Sequence, residues 1–297
     1  LKALENLGGL FLKGNANFHL FHVTPESTLP ARPPSSAETI EWERVQKREA
    51  QQLLDKALSS LLQMGYKRSR LSTESMALGL SAGQDVGDAG RTAEIETVVL
   101  ARRRLRSRIN RFISETTTAD VYHYASRQNV WAVGTLPLQP PLILAAVDES
   151  DYADRIVAHV AGTLGSLPEV RITLCNIMPA KPPAYWDDGH ILDKSERVER
   201  KTVVKQWRWE YEEIMGGIFA RARGILTKAG IAEERITTRM QSRRSGIALD
   251  ILAEVSRGGY NMLAFGRRGS GMSPFDLGSR ASKILRSAPD CTLILVN

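Results

Sequence analysis

The residues in this chain best suited to chemistry are glycines set at a particular spacing. Gly266 and Gly269 follow the apolar run Asn261-Met262-Leu263-Ala264-Phe265, and Gly278-Ser279 come after eight further residues. The run reads as a buried strand, and Arg280 to Arg286 reads as a helix that begins near Ser279. A strand, then glycines, then a helix start lets backbone N–H groups close around phosphate oxygens. Glycine allows the close approach or positive φ this needs. The unpaired donors and partial positive charge of the helix N-terminus add to it. The amides from Phe265 to Ala281 are therefore expected to cradle a polyphosphate, with Arg267, Arg268 and Arg280 flanking it as charge partners. Neither the P-loop pattern nor G-x-G-x-x-G occurs after this strand. The nearest approach to a P-loop, Gly9 to Gly14, is followed by Asn15. Taken alone, the loop could equally be an ordinary βα turn.

A second chemical group lies upstream. Pro141 to Val147 is a continuous apolar run of the kind buried on both faces of a parallel sheet, and it ends in Asp148-Glu149-Ser150. An aspartate at the carboxyl end of a central strand sits in the crevice where open α/β sheets bind ligands. As an acceptor it can take a hydrogen bond from an adenine amino group or a ribose hydroxyl. The alternative is that Asp148 or Ser150 only caps the next helix.

Together these pieces resemble the universal stress protein (UspA) family. The resemblance rests on D-x-S at the end of a strand, a second strand followed by a long helix, and G-x-x-G then G-S after the fourth strand. It covers residues 141–297, including the closing strand Thr292-Leu293-Ile294-Leu295-Val296. It implies an α/β fold: an open, parallel, five-stranded sheet of order 3-2-1-4-5 flanked by helices, of the adenine nucleotide alpha hydrolase-like or Rossmann-like kind. It also implies an ATP or AMP ligand. On the family's pattern Asp148 holds adenine or ribose, next to Ala146 and Val147, and the backbone at Ile177 borders the base. Phe265, Gly266, Gly269, Gly278, Ser279 and Ala281 then surround the phosphates, with Arg268 and Arg280 as partners. Mg2+ could bridge the phosphates, although no carboxylate cluster is dedicated to it. The loop departs from the family in being one residue shorter than usual and in holding Pro274.

The elements that must position these residues occur twice. His19 to Pro25 parallels Thr173 to Pro179, Leu62 to Tyr66 parallels Thr227 to Ile231, and Glu96 to Arg104 parallels Asn261 to Gly269. Two tandem domains are expected, 1–136 and 141–297, joined by the stiff, proline-rich stretch Gly134 to Pro141. The first copy is degenerate. Ala101 and Arg104 stand where the second has Gly266 and Gly269, and Ser114-Glu115-Thr116 stand near the position of Gly278-Ser279. Its first strand, with the aspartate, is missing, because the sequence opens at Leu1 inside what aligns with the first helix. That copy is expected to bind no nucleotide in the family manner and to pair structurally with the second, through the sheet edge and closing strand Asn129 to Val133.

Composition bounds the rest. The longest apolar runs are strand-sized, well below the roughly 18 residues of a membrane span. No secretory leader is seen at the start, so a cytoplasmic location is expected. Cys175 and Cys291 lack C-x-x-C spacing and are expected to be buried thiols. Arg102 to Arg111 holds six arginines and no acid. It could contact phosphates of nucleic acid, but no aromatic residues are interleaved to stack bases, so a solvated loop is the expectation. Gly79-Leu80-Ser81-Ala82-Gly83 matches G-x-S-x-G, with Asp120 and His123 as conceivable partners. In the repeat alignment, though, Ser81 falls at an edge strand. The aromatic residues of the long helix from Lys194 to Leu226 are expected to be core or interface, and the loop from Ala180 to Gly189 to lie above the pocket. No base or nucleophile for turnover stands out. A nucleotide-dependent stress-response binding module is favoured over slow ATP hydrolysis, over self-phosphorylation at Ser270, Ser273 or Ser279, and over a ligand-free scaffold. A homodimer through closing strands is compatible with the resemblance.

Overall fold

The computed structural model describes residues 2–11, 16–24, 37–102, 120–180, 194–267 and 277–297. The chain divides into two units, Leu1–Gln139 and Pro140–Asn297.

The second unit is an open parallel sheet. In the numbering used throughout, its strands are β5 (Leu142–Ala146), β6 (Arg171–Met178), β7 (Ile236–Ser242), β8 (Met262–Gly266) and β9 (Thr292–Val296). They lie in the order β9-β8-β5-β6-β7. This is the expected order 3-2-1-4-5 read from the other edge. β5 is central, pairing β6 through Leu142↔Arg171 and β8 through Ile143↔Met262, all in parallel. Strands covered on both faces should be apolar throughout rather than alternating, and β9 is buried at every position. Four helices connect the strands: α4 (Tyr152–Leu164), α5 (Lys194–Lys228), α6 (Ile247–Gly258) and α7 (Ser279–Ser287). α4 shows why they dock. Ala153, Ile156, Val157, Val160, Ala161 and Leu164 fall on one helical stripe, and all are buried.

The first unit repeats much of this order with α1 (Lys2–Phe11), β1 (Phe18–Thr24), α2 (Ala37–Gln63), β2 (Leu71–Ala77), α3 (Ala82–Thr92), β3 (Thr97–Ala101) and β4 (Asn129–Val133). The long helices of both units end alike. Gly65 and Gly230 take positive φ of 101° and 98°. The next residues, Tyr66 and Ile231, donate back to Leu61 and Leu226, closing the helix with a left-handed cap that only glycine adopts without strain. Among the described residues the first unit shows no counterpart of β5, and its strands form two parallel pairs, β1 with β2 and β3 with β4. Among the described residues β1 and β3 each pair along one edge only. Burial follows from this: β3 has one buried position, whereas its counterpart β8 is buried up to its last residue. Leu61, Tyr66 and Leu71 form a local core there, and the Tyr66 hydroxyl donates to the Gly8 carbonyl at 2.7 Å.

Candidate functional site

Over the carboxyl ends of β5, β6 and β8 lies a cavity of about 510 Å³. A parallel sheet aims all its strand ends the same way, so loops far apart in sequence meet above it. From β5 come Ala146, Val147 and Asp148, from β6 Ile177, and from β8 Phe265 and Gly266. The start of α7 adds Gly278, Ser279, Arg280 and Ala281. Ten of the residues expected from sequence therefore line one cavity. The other two, Arg268 and Gly269, lie outside the described residues, as do Ser270, Ser273 and Pro274.

Asp148 does not cap α4. The residue before that helix is Asp151, which makes no side-chain capping bond. Asp148 instead closes a local turn, accepting from the Ser150 amide at 3.1 Å and the Ser150 hydroxyl at 2.5 Å through Oδ1. Its second oxygen faces α7, with Arg280 Nη1 at 3.9 Å. Both groups are partly solvated, so the pair itself stabilises little. What matters is that the carboxylate and the start of α7 share one rim.

That helix start is open. Gly278 occupies the cap position, and no side-chain capping bond is made there among the described residues. The Gly278 amide donates to the Arg267 carbonyl at 3.0 Å, and the Arg267 amide to Val296 at 2.8 Å, so the chain entering the helix is anchored to the sheet. Arg267 is fully buried, and its side chain lies in the cavity wall. Arg243, which follows β7 and donates its amide to Met178, adds a third guanidinium to the lining.

Several lining residues carry no motif. Tyr211 of α5, expected as core or interface, reaches the cavity, where its hydroxyl donates to Glu149 Oε2 at 3.1 Å and accepts from Asn176 Nδ2 at 3.1 Å. Burial, chiefly, pushes the Tyr211 hydroxyl pKa up, so it stays a neutral donor. Tyr152 packs its ring against Gly266. Cys175 also lines the cavity, but burial and then the Glu254 carboxylate push its thiol up to about 12, which makes it unreactive. Both cysteines are buried thiols, neither in a disulfide among the described residues. No group of His, Cys, Asp and Glu able to hold a metal ion occurs among the described residues.

The G-x-S-x-G segment has another use. Ser81 caps α3 by accepting from the Gln84 amide at 3.1 Å, and Gly79 donates to Asp85 at 2.8 Å. In the second unit Asp250 likewise accepts from the Arg244, Ser245 and Gly246 amides. These are helix-entry devices. Most of the arginine run and nearly all of the loop from Ala180 to Gly189 fall outside the described residues. No helix among those described is long and apolar enough to cross a membrane.

A model of the universal stress protein family matches residues 142–296. Among solved structures, a universal stress protein from Archaeoglobus fulgidus DSM 4304 is similar to the chain at 17% identity and a TM-score of 0.61. The similarity covers 100% of this chain and 91% of that one. A functionally unknown protein from Pseudomonas aeruginosa PAO1 is similar at 13% identity and a TM-score of 0.53, covering 93% and 92% of the two chains. At such identities the likeness is one of fold. No curated protein matches the chain.

Proposed function

Because the chain belongs to the universal stress protein family, we propose that its second unit binds ATP or AMP and that a stress-response partner reads whether the site is occupied. The observation that carries this reading is the 3.9 Å approach of Asp148 to Arg280 across the cavity mouth. It sets an acceptor for a base or ribose beside an uncapped helix start and a guanidinium suited to phosphate. On this reading Ala146, Val147, Asp148 and Ile177 take the nucleoside. Phe265, Gly266, Gly269, Gly278, Ser279 and Ala281 take the phosphates, with Arg268 and Arg280 as counter-charges. Mg2+ would enter on the phosphates, since no carboxylate cluster among the described residues is set apart for it.

The two carboxylates at the site are both engaged, Asp148 with Ser150 and Arg280, and Glu149 with Tyr211. Each is held by neighbouring protein groups rather than left free to take a proton from a reacting group, which favours a binding module over a hydrolase. Residues 1–136 and 141–297 are read as two copies of one domain, the first without a ligand.

Calorimetric titration of the full chain with ATP and AMP, with and without Mg2+, tests the proposal. Saturable binding is expected, weakened about ten-fold or more in Asp148→Ala, which loses a charged hydrogen-bond partner. Absence of binding at millimolar nucleotide would defeat it. Phosphate release, or a phosphoserine found by mass spectrometry after incubation with ATP, would favour the enzyme instead.

A further inference from the structure

Asn176 stands in β6 one residue before Ile177 and is 1% exposed. Its Nδ2 donates to the Val147 carbonyl at 3.0 Å and to the Tyr211 hydroxyl at 3.1 Å. A carbonyl oxygen only accepts, so the Val147 contact establishes which end of the amide is nitrogen. Tyr211 is held in turn by Glu149. Both amide hydrogens are thereby used and the rotamer is locked, which leaves Asn176 Oδ1 buried with no hydrogen-bond partner among the described residues. Native structures rarely keep a buried acceptor in that state without a reason. The flanking positions in β6 are Leu174, Cys175 and Ile177, all buried, so Asn176 is a polar side chain set in an apolar stretch.

We infer that Asn176 Oδ1 is an acceptor kept for the exocyclic amino group of adenine, and that it makes the site selective for adenine over 6-oxopurines. The inference rests on the adenine-nucleotide reading of the same cavity. β6 lies on the far side of β5 from β8, which carries Gly266. Phosphates gathered at β8 and α7 therefore place the base toward β6, where Asn176 lines the wall. A 6-amino group there donates to Oδ1. The 6-oxo group of hypoxanthine or guanine would set two acceptors against each other, and a site built to pair a polar group rejects the ligand that lacks it.

The test couples one ligand atom to one side chain. ATP, the triphosphate of purine riboside (which lacks only the 6-amino group) and ITP are titrated into the full-length wild type, Asn176→Leu and Asn176→Ala. Wild type is expected to bind the deamino triphosphate about ten-fold more weakly than ATP, and ITP more weakly still. In either variant the ratio of ATP to deamino affinity should fall toward one. Equal wild-type affinity for ATP and the deamino triphosphate would overturn the inference while leaving nucleotide binding intact, even if neither variant folds. An undiminished ratio in a folded variant would overturn it too. Failure of the wild type to bind any triphosphate would remove the parent reading and this one together.

Discussion

A methyl group added at Gly266 would lie 2.9 Å from the Tyr152 Cβ and 3.0 Å from two of its ring carbons. Glycine is needed there because a side chain from the start of α4 already fills the space; φ at Gly266 is not positive. Gly266→Ala should cost about 1–3 kcal/mol, as overpacking in a tight core does. Adding Tyr152→Ala should recover part of that loss, both read from urea denaturation. No recovery would show that the glycine serves the backbone alone. Asp148 makes a similar point. Its turn with Ser150 and its approach to Arg280 are separate uses of two oxygens, so its conformation is set before any ligand arrives.

At the level of elements, α4 docks through a stripe that includes one titratable group. His159 is buried, and burial lowers its pKa from 6.5 to about 4. The folded state thus keeps the imidazole neutral while the unfolded chain takes up a proton below about pH 6.5. Stability from this residue is complete above that pH and declines as pH falls through about 4, by up to roughly 3 kcal/mol. His159→Leu should show a shallower fall in unfolding free energy between pH 7 and pH 4. Equal slopes would indicate that the ring is solvated. The elements themselves were readable in the sequence. The runs Leu142–Ala146 and Thr292–Val296 are apolar at successive positions, and the ends of α2 and α5 are marked by Gly65 and Gly230. The glycine frame and Asp148 were readable as well, because their spacing along the chain is local. Tyr211, Asn176 and Arg243 were not. They meet Glu149 and the cavity across tens of residues, through contacts that exist only once the sheet brings its strand ends together. Tyr211 also shares the periodicity of a core residue, so no local pattern separates the two roles.

For the whole molecule, the cavity over β5, β6 and β8 belongs to the second unit. Hydrogen exchange with and without ATP should therefore gain protection in 142–149, 175–178, 262–267 and 277–284, and none in 18–24, 71–77 or 97–101. Protection spread equally over both units would contradict the assignment of the site to the second. Among the described residues, no strand lies between β1 and β3 in the way that β5 lies between β6 and β8. In an open α/β sheet a receptacle appears where successive crossovers turn to opposite sides of the central strand and their loops part. With β1 and β3 each pairing along one edge only among the described residues, no such reversal is formed by them. Ala101→Gly and Arg104→Gly would restore the lettering of the loop without supplying that parting of the crossovers.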